Sequence, residues 1–179
     1  MVAAVVLAAG GSTRVRGGDK LVTPFRGRPL VTWAVEAAIA SGIGDVVVVV
    51  GAGPLPLPSG VRIVVNPLWA SGQATSLQAA LAACRRHEAV VVGLGDQPLV
   101  APETWKAVAS STAPIAVATY KGKRRNPVRL ARVVWPLLPR TGDRGARVLM
   151  RVRPDLVTEV PCAGDSADVD TVEDLARWS

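Results

Sequence analysis

Short valine-rich runs recur along this chain with helix-length stretches between them, and that alternation limits the folds open to it. Residues 3–7, 45–50, 61–65, 89–94 and 114–118 are nearly continuous in apolar side chains. A strand with one wet face alternates apolar and polar residues. A run that is apolar throughout suits a parallel strand covered on both faces. Between these runs, residues 29–40, 72–85, 102–110 and 145–151 read as helices. In the first, Leu30, Trp33, Ala34, Ala37 and Ala38 fall on one stripe at helical spacing. Pro102 and Glu103 suit the first turn of the third. Strand and helix alternate, which predicts an α/β fold: a three-layer α/β/α, Rossmann-like arrangement around a mainly parallel (mixed) sheet. With 179 residues, the chain is expected to form one domain over 1–179 with a core of its own.

The first apolar run opens into Leu7-Ala8-Ala9-Gly10-Gly11-Ser12-Thr13-Arg14, with Arg16 and Lys20 close behind. Glycines after a buried strand let the backbone approach a phosphate, and the cations supply charge. This is suitable hardware for a nucleoside triphosphate. Two other readings stand beside it. Ala8-Ala9-Gly10 resembles a signal-peptide cleavage site, but no basic residue precedes the short apolar run. A glycine-rich turn without a ligand is the other. The spacing of Gly17-Gly18-Asp19-Lys20 does not make a Walker A loop. Gly51-x-Gly53 lacks a third glycine and runs into Pro54, Pro56 and Pro58, so it reads as a surface loop rather than a dinucleotide site.

The formal net charge of +7 favours anionic ligands. The arginines are spread along the chain with no aromatic residues interleaved, which points to discrete phosphate sites and away from a nucleic-acid groove. The apolar runs are too short to span a bilayer, so no membrane is expected. Cys84 and Cys162 stand far apart, which argues against a zinc site or a disulfide scaffold. They fit free thiols in a reducing cytoplasm. The one histidine, His87, is expected at an exposed helix end, where its positive charge is favourable.

Candidate chemistry gathers after residues 89–94, at Gly95-Asp96-Gln97-Pro98-Leu99. Ligands of a parallel sheet collect beyond the carboxyl ends of its strands, and one carboxylate there suffices to hold a Mg²⁺ that also takes triphosphate oxygens. A loop-turning aspartate is the equal alternative. Asp168-Val169-Asp170-Thr171 offers a second carboxylate; Asp170 could instead cap a last helix in a capping-box pattern with Glu173. Lys121-Gly122-Lys123-Arg124-Arg125-Asn126-Pro127 reads equally as a phosphate site or a solvated hairpin tip. Gly142-Asp143-Arg144-Gly145-Ala146-Arg147 reads as a loop feeding a helix.

Taken in order, these segments and Asn66-Pro67-x-Trp69-x-x-Gly72-x-x-x-Ser76-Leu77 resemble the molybdenum-cofactor nucleotidyltransferases of the MobA-like NTP transferase family. The cytidylyltransferase branch is the most similar. The resemblance covers essentially the whole chain. It implies a Rossmann-like nucleotidyltransferase fold and an enzyme that joins CMP from CTP to molybdopterin, releasing pyrophosphate with Mg²⁺ as cofactor. It implies catalytic roles for Arg14, Lys20 and Asp96 and metal positions at Asp96 and Asp170. Nucleotide contacts would come from Leu7, Ala8, Ala9, Gly10, Gly11, Ser12, Lys20, Asn66, Gly72 and Ser76. Acceptor contacts would come from Gln97, Pro98, Arg125, Asn126, Asp143 and Arg147. The partners implied are CTP or another nucleoside triphosphate and a phosphorylated small molecule such as molybdopterin, with a molybdoenzyme as a candidate recipient. Ala9, where the guanylyl branch has glycine, leans toward CTP. The loop holds one more residue between Arg14 and Lys20 than the family pattern, so either Arg14 or Arg16 could face phosphate. Asn126 stands where the family usually has histidine. The alternatives are transfer to a different acceptor, transfer from GTP, a non-catalytic cofactor binder, and a nicotine-blue-type oxidoreductase on the same scaffold.

Overall fold

The computed structural model describes residues 1–10, 20–51 and 53–167. Its centre is a seven-stranded sheet. The strands are β1 (Val2–Ala8), β4 (Val46–Val50), β5 (Arg62–Val65), β6 (Ala89–Leu94), β7 (Ile115–Tyr120), β8 (Lys123–Ala131) and β9 (Val157–Pro161), in the order β5-β4-β1-β6-β8-β7-β9. β2 (Pro24–Phe25) and β3 (Arg28–Pro29) form a separate small hairpin. Four helices are described: α1 (Leu30–Ala40), α2 (Gln73–Ala83), α3 (Pro102–Ala109) and α4 (Arg147–Val152).

β1, β4, β5 and β6 pair in parallel, and β7 pairs in parallel with β9. β8 runs antiparallel to both β6 and β7. The sheet is therefore mixed, as expected. Side-chain alternation sends Ala3, Val5 and Leu7 to one face and Ala4, Val6 and Ala8 to the other. The first face is covered by Leu77, Ala80 and Leu81 of α2 and Leu149 and Met150 of α4. The second is covered by Val31, Ala34, Val35 and Ala38 of α1 and Trp105 and Val108 of α3. Both faces of β4 are thus dry, and all five of its valines are 8% exposed or less. Each such burial contributes roughly 1.5–3 kcal/mol. Gly93 in β6 leaves room for a large partner: a Cβ there would come within 2.6 Å of the Trp105 ring.

Two expectations need correcting, and two strands have no counterpart among the apolar runs. β5 is an edge strand with mostly exposed side chains, Ile63 and Val65 among them. β8 and β9 carry too many charged and polar residues to read as buried strands. β8 is stabilised as a strand by its neighbours on both sides. His87 is buried rather than exposed. The turn after α2 folds back under β1, where Glu88 N–H donates to Met1 O (2.9 Å), and His87 Nε2 lies 3.1 Å from Asp45 Oδ2.

β1 sits between β4 and β6, and the chain reaches these neighbours on opposite sides. That is a topological switch point, which opens a crevice beyond the carboxyl ends of β1 and β6. Leu7 and Leu94 are register partners at that edge, and Gly95 N–H donates to Leu7 O (2.9 Å), tying the two strand ends together.

Candidate active site

Two pockets open from the switch point. The first has a volume of about 550 Å³. Ala9, Gly10, Lys20, Gly72, Ser76, Asp96 and Asp143 line it, beneath Trp69. Lys20 is only 4% exposed, and a buried lysine needs an anionic partner. It has one: Lys20 Nζ donates to Asp96 Oδ2 at 3.0 Å. The other carboxylate oxygen, Asp96 Oδ1, is buried with no hydrogen-bond partner among the described residues. A buried, unmatched anionic oxygen suits a divalent cation, and Asp143 brings a second carboxylate to the same pocket. No group of three or more His, Cys, Asp or Glu side chains is gathered around one point among the described residues.

Asn66 builds the wall from behind. It is 3% exposed and does not line the pocket. Its Nδ2 donates to Thr75 Oγ1 (2.9 Å) and Ser76 Oγ (3.0 Å), and its Oδ1 accepts from Leu68 N–H (3.0 Å). The first turn of α2 is thereby fixed to the loop before it. Gly72, just ahead of α2, has φ 106° and ψ 165°, a region that essentially only glycine occupies. A Cβ there would lie 2.6 Å from the Gly142 backbone and 2.7 Å from Asp143 Oδ1. Ala74 N–H donates to Gly142 O (2.9 Å), so the 142–147 loop is stitched to the start of α2.

The second pocket, about 420 Å³ in volume, lies on the β8 side. Its floor is apolar, from Leu77, Val92, Val117, Val128, Leu130 and Met150, and its rim carries Arg124, Arg125, Arg144, Arg147 and Arg151 with no carboxylate among the described residues. Arg124 is partly committed, since its Nε donates to Glu159 Oε1 at 2.7 Å. The pairing of β7 with β8 jumps from Val117↔Val128 to Ala118↔Arg125. This irregularity falls at Asn126, and such bulges re-aim side chains. Arg125 and Asn126 both reach the pocket.

The structure thus sorts the expected residues. Leu7, Ala9, Gly10, Lys20, Gly72, Ser76 and Asp96 come together in the first pocket, and Arg125, Asn126 and Arg147 in the second. Ala8 is buried in the core on the opposite face of β1. Asp143, expected among the acceptor contacts, lines the first pocket instead, because the 142–147 loop turns one side to each pocket. Gln97 and Pro98 line neither. Both are buried, and Gln97 Nε2 donates to Ser166 O (3.4 Å). Gly11, Ser12, Arg14 and Asp170 lie outside the described residues. Residues not singled out from sequence include Gln73, Leu94, Arg124, Arg144 and Trp69. Each lies within or beside a motif, so adjacency was the available signal.

Pockets at the carboxyl edge of a parallel sheet, at its switch point, mark the class: an α/β enzyme that takes its ligands at the strand ends. The chain belongs to the MobA-like NTP transferase domain family, which matches residues 4–159, and it is a nucleotidyltransferase by that membership and by fold. It is 36% identical to the nicotine blue oxidoreductase of Paenarthrobacter nicotinovorans, over 98% of this chain and 95% of that one. The crystal structure of Rv0371c from Mycobacterium tuberculosis H37Rv is 31% identical, with a TM-score of 0.85 over 99% of this chain and 96% of that chain. A manganese complex of Rv0371c has a TM-score of 0.81 at 29% identity, over 99% and 97% of the two chains. Among the described residues, no helix is long and apolar enough to cross a membrane.

Proposed function

We propose that this enzyme transfers CMP from CTP to the phosphate of a molybdopterin-type acceptor, releasing pyrophosphate with Mg²⁺ as cofactor. The observation that carries the reading is the pair of adjoining pockets, one holding Lys20 and Asp96 and the other rimmed by arginines over an apolar floor. The apolar floor of the second pocket suits a flat ring system, and the arginines at its rim suit an anionic group carried on that ring.

In nucleotidyl transfer the protein supplies alignment and charge rather than covalent chemistry. Asp96 Oδ2 holds the Lys20 ammonium at the wall of the first pocket, where it meets the triphosphate. Arg14 and the glycine loop are assigned to the same task by the resemblance. Asn66 fixes the Ser76 hydroxyl, and Arg125 and Arg147 receive the acceptor's anionic group. Asp96 and, by the resemblance, Asp170 would hold the metal. When bound, Mg²⁺ neutralises phosphate charge as the leaving group departs. No protein nucleophile is required, in keeping with pockets that hold no cysteine or histidine among the described residues.

The test is to mix the purified protein with Mg²⁺, molybdopterin and CTP, GTP, ATP or UTP in turn, and to measure pyrophosphate release. Release with CTP above the others is expected; no release with any nucleotide would defeat the reading. The full-length relationship to a nicotine blue oxidoreductase favours a second reading, reduction of a flat dye in the apolar-floored pocket. Oxidation of reduced nicotinamide by a quinone-like dye, with no pyrophosphate release, would decide for it.

A further inference from the structure

The pockets share a wall, and Leu7, Leu94 and Gln73 line both. Leu7 and Leu94 are paired strand ends with nothing to offer a phosphate. Gln73 is the polar member. It opens α2, directly after the constrained Gly72, and its Oε1 lies 3.4 Å from where a Cβ on Gly145 would stand. Its side chain makes no hydrogen bond among the described residues. On the same helix, the Gln78 Nε2 donates to Pro139 O (3.0 Å) and is thereby spent on structure.

From this placement we propose that Gln73 is a catalytic residue whose amide N–H binds the phosphoryl group at the moment of transfer. The inference rests on the nucleotidyl-transfer reading above. In that reaction an oxygen of the acceptor phosphate forms a bond to the α-phosphorus. The bond from that phosphorus to the oxygen bridging to the β-phosphate breaks, and its electron pair leaves with pyrophosphate. The reacting phosphorus passes between the two substrates, so it must lie where their pockets meet. A neutral amide there donates to the equatorial oxygens as charge shifts onto them, and it neither gains nor loses a proton. Such a donor raises kcat to the extent that it binds the transition state more tightly than the ground state.

The test uses the full chain with Mg·CTP and the acceptor, comparing wild type with Gln73→Ala and the near-isosteric Gln73→Glu. Removing one such donor costs on the order of 10²-fold in kcat. We expect that loss in Gln73→Ala and a larger one in Gln73→Glu, whose carboxylate repels phosphate. KM for each substrate, and the calorimetric Kd for Mg·CTP, should stay within about threefold in Gln73→Ala, the pattern of an interaction made in the transition state. An active wild type with Gln73→Ala within about threefold in kcat would overturn this assignment alone. So would a loss confined to the KM of the acceptor. An inactive wild type would overturn the transfer reading and this assignment with it.

Discussion

The two pockets share a wall but are built on different principles. The first is made at the ends of parallel strands, from loop backbone, a buried lysine and the carboxylate that holds it. The second is made across an antiparallel insertion, where β8 wedges between β6 and β7 and brings arginines over an apolar floor. One pocket is narrow in chemistry, with both signs of charge fixed in position. The other is cationic and tolerant, since arginines on exposed loops and strand ends can meet many anions. The difference teaches where a fold of this kind carries its common chemistry and where it can vary its substrate.

Breaking one pocket should therefore leave the other working. The largest effect expected is at Asp96. Asp96→Ala should lower turnover by on the order of 10²–10³-fold while acceptor binding, measured by fluorescence or calorimetry, holds. It should also lower stability, because the buried Lys20 ammonium loses its ion pair with the Asp96 carboxylate. Loss of acceptor binding in this variant would show that the pockets are not separable.

Gly72→Ala strikes the seam between them. The backbone region at Gly72 costs other residues about 1–3 kcal/mol, and the Cβ would also press on the 142–143 backbone. A fall in Tm of roughly 5–10 °C is expected, with both ligands bound more weakly. A variant with unchanged Tm would mean that the 142–147 loop is not held against α2 as described.

A smaller, one-sided effect is expected at Arg147. Arg147→Ala should raise the acceptor KM about 10- to 100-fold, since a hydrogen bond to a charged group contributes about 1.5–3 kcal/mol, and should leave the Kd for Mg·CTP unchanged. An equal loss on both substrates would undo the division of labour.

The smallest effect lies away from both pockets and serves as their control. Burial pushes the Cys84 thiol above its ordinary 9.0, Arg62 nearby pulls it partly back, and Asp45 adds slightly to the rise. The unfolded thiol loses its proton before the folded one does. The contribution is thus complete below about pH 9 and is lost as pH rises through the folded value. Chemical denaturation from pH 8 to 10.5 should show stability falling more steeply in wild type than in Cys84→Ala, with nucleotide binding at pH 8 alike in both.

What the sequence reveals follows the same division. The strands that flank the first pocket are buried on both faces, so their apolar runs are legible, and the motifs at their ends sit on consecutive residues. Lys20 and Asp96 are 76 positions apart, yet each lies in the segment that follows a readable strand, β1 for Lys20 and β6 for Asp96, and the switch-point rule brings those segments together. The second pocket depends on β8, whose Lys123, Arg124, Arg125 and Asn126 give no strand signal. Only its neighbours on either side make it a strand. Asp143 and Arg144 show the limit most clearly: adjacent in sequence, they face different pockets, and nothing in their order reveals which side each takes. The burial of His87 is hidden from the sequence for a related reason, because it depends on the Asp45 loop and the start of β1 closing over it.

The central claim, that a nucleotide in the first pocket gives up its CMP group to an acceptor in the second, can be tested with CTP labelled at the α-phosphorus. The protein is incubated with Mg²⁺, the labelled CTP and molybdopterin, and the products are separated. The account predicts label in the acceptor product, unlabelled pyrophosphate in equal amount, and both products formed on the order of 10²–10³-fold more slowly by Asp96→Ala. Label that stays in CTP, or that appears only as free CMP whether or not acceptor is present, would contradict it.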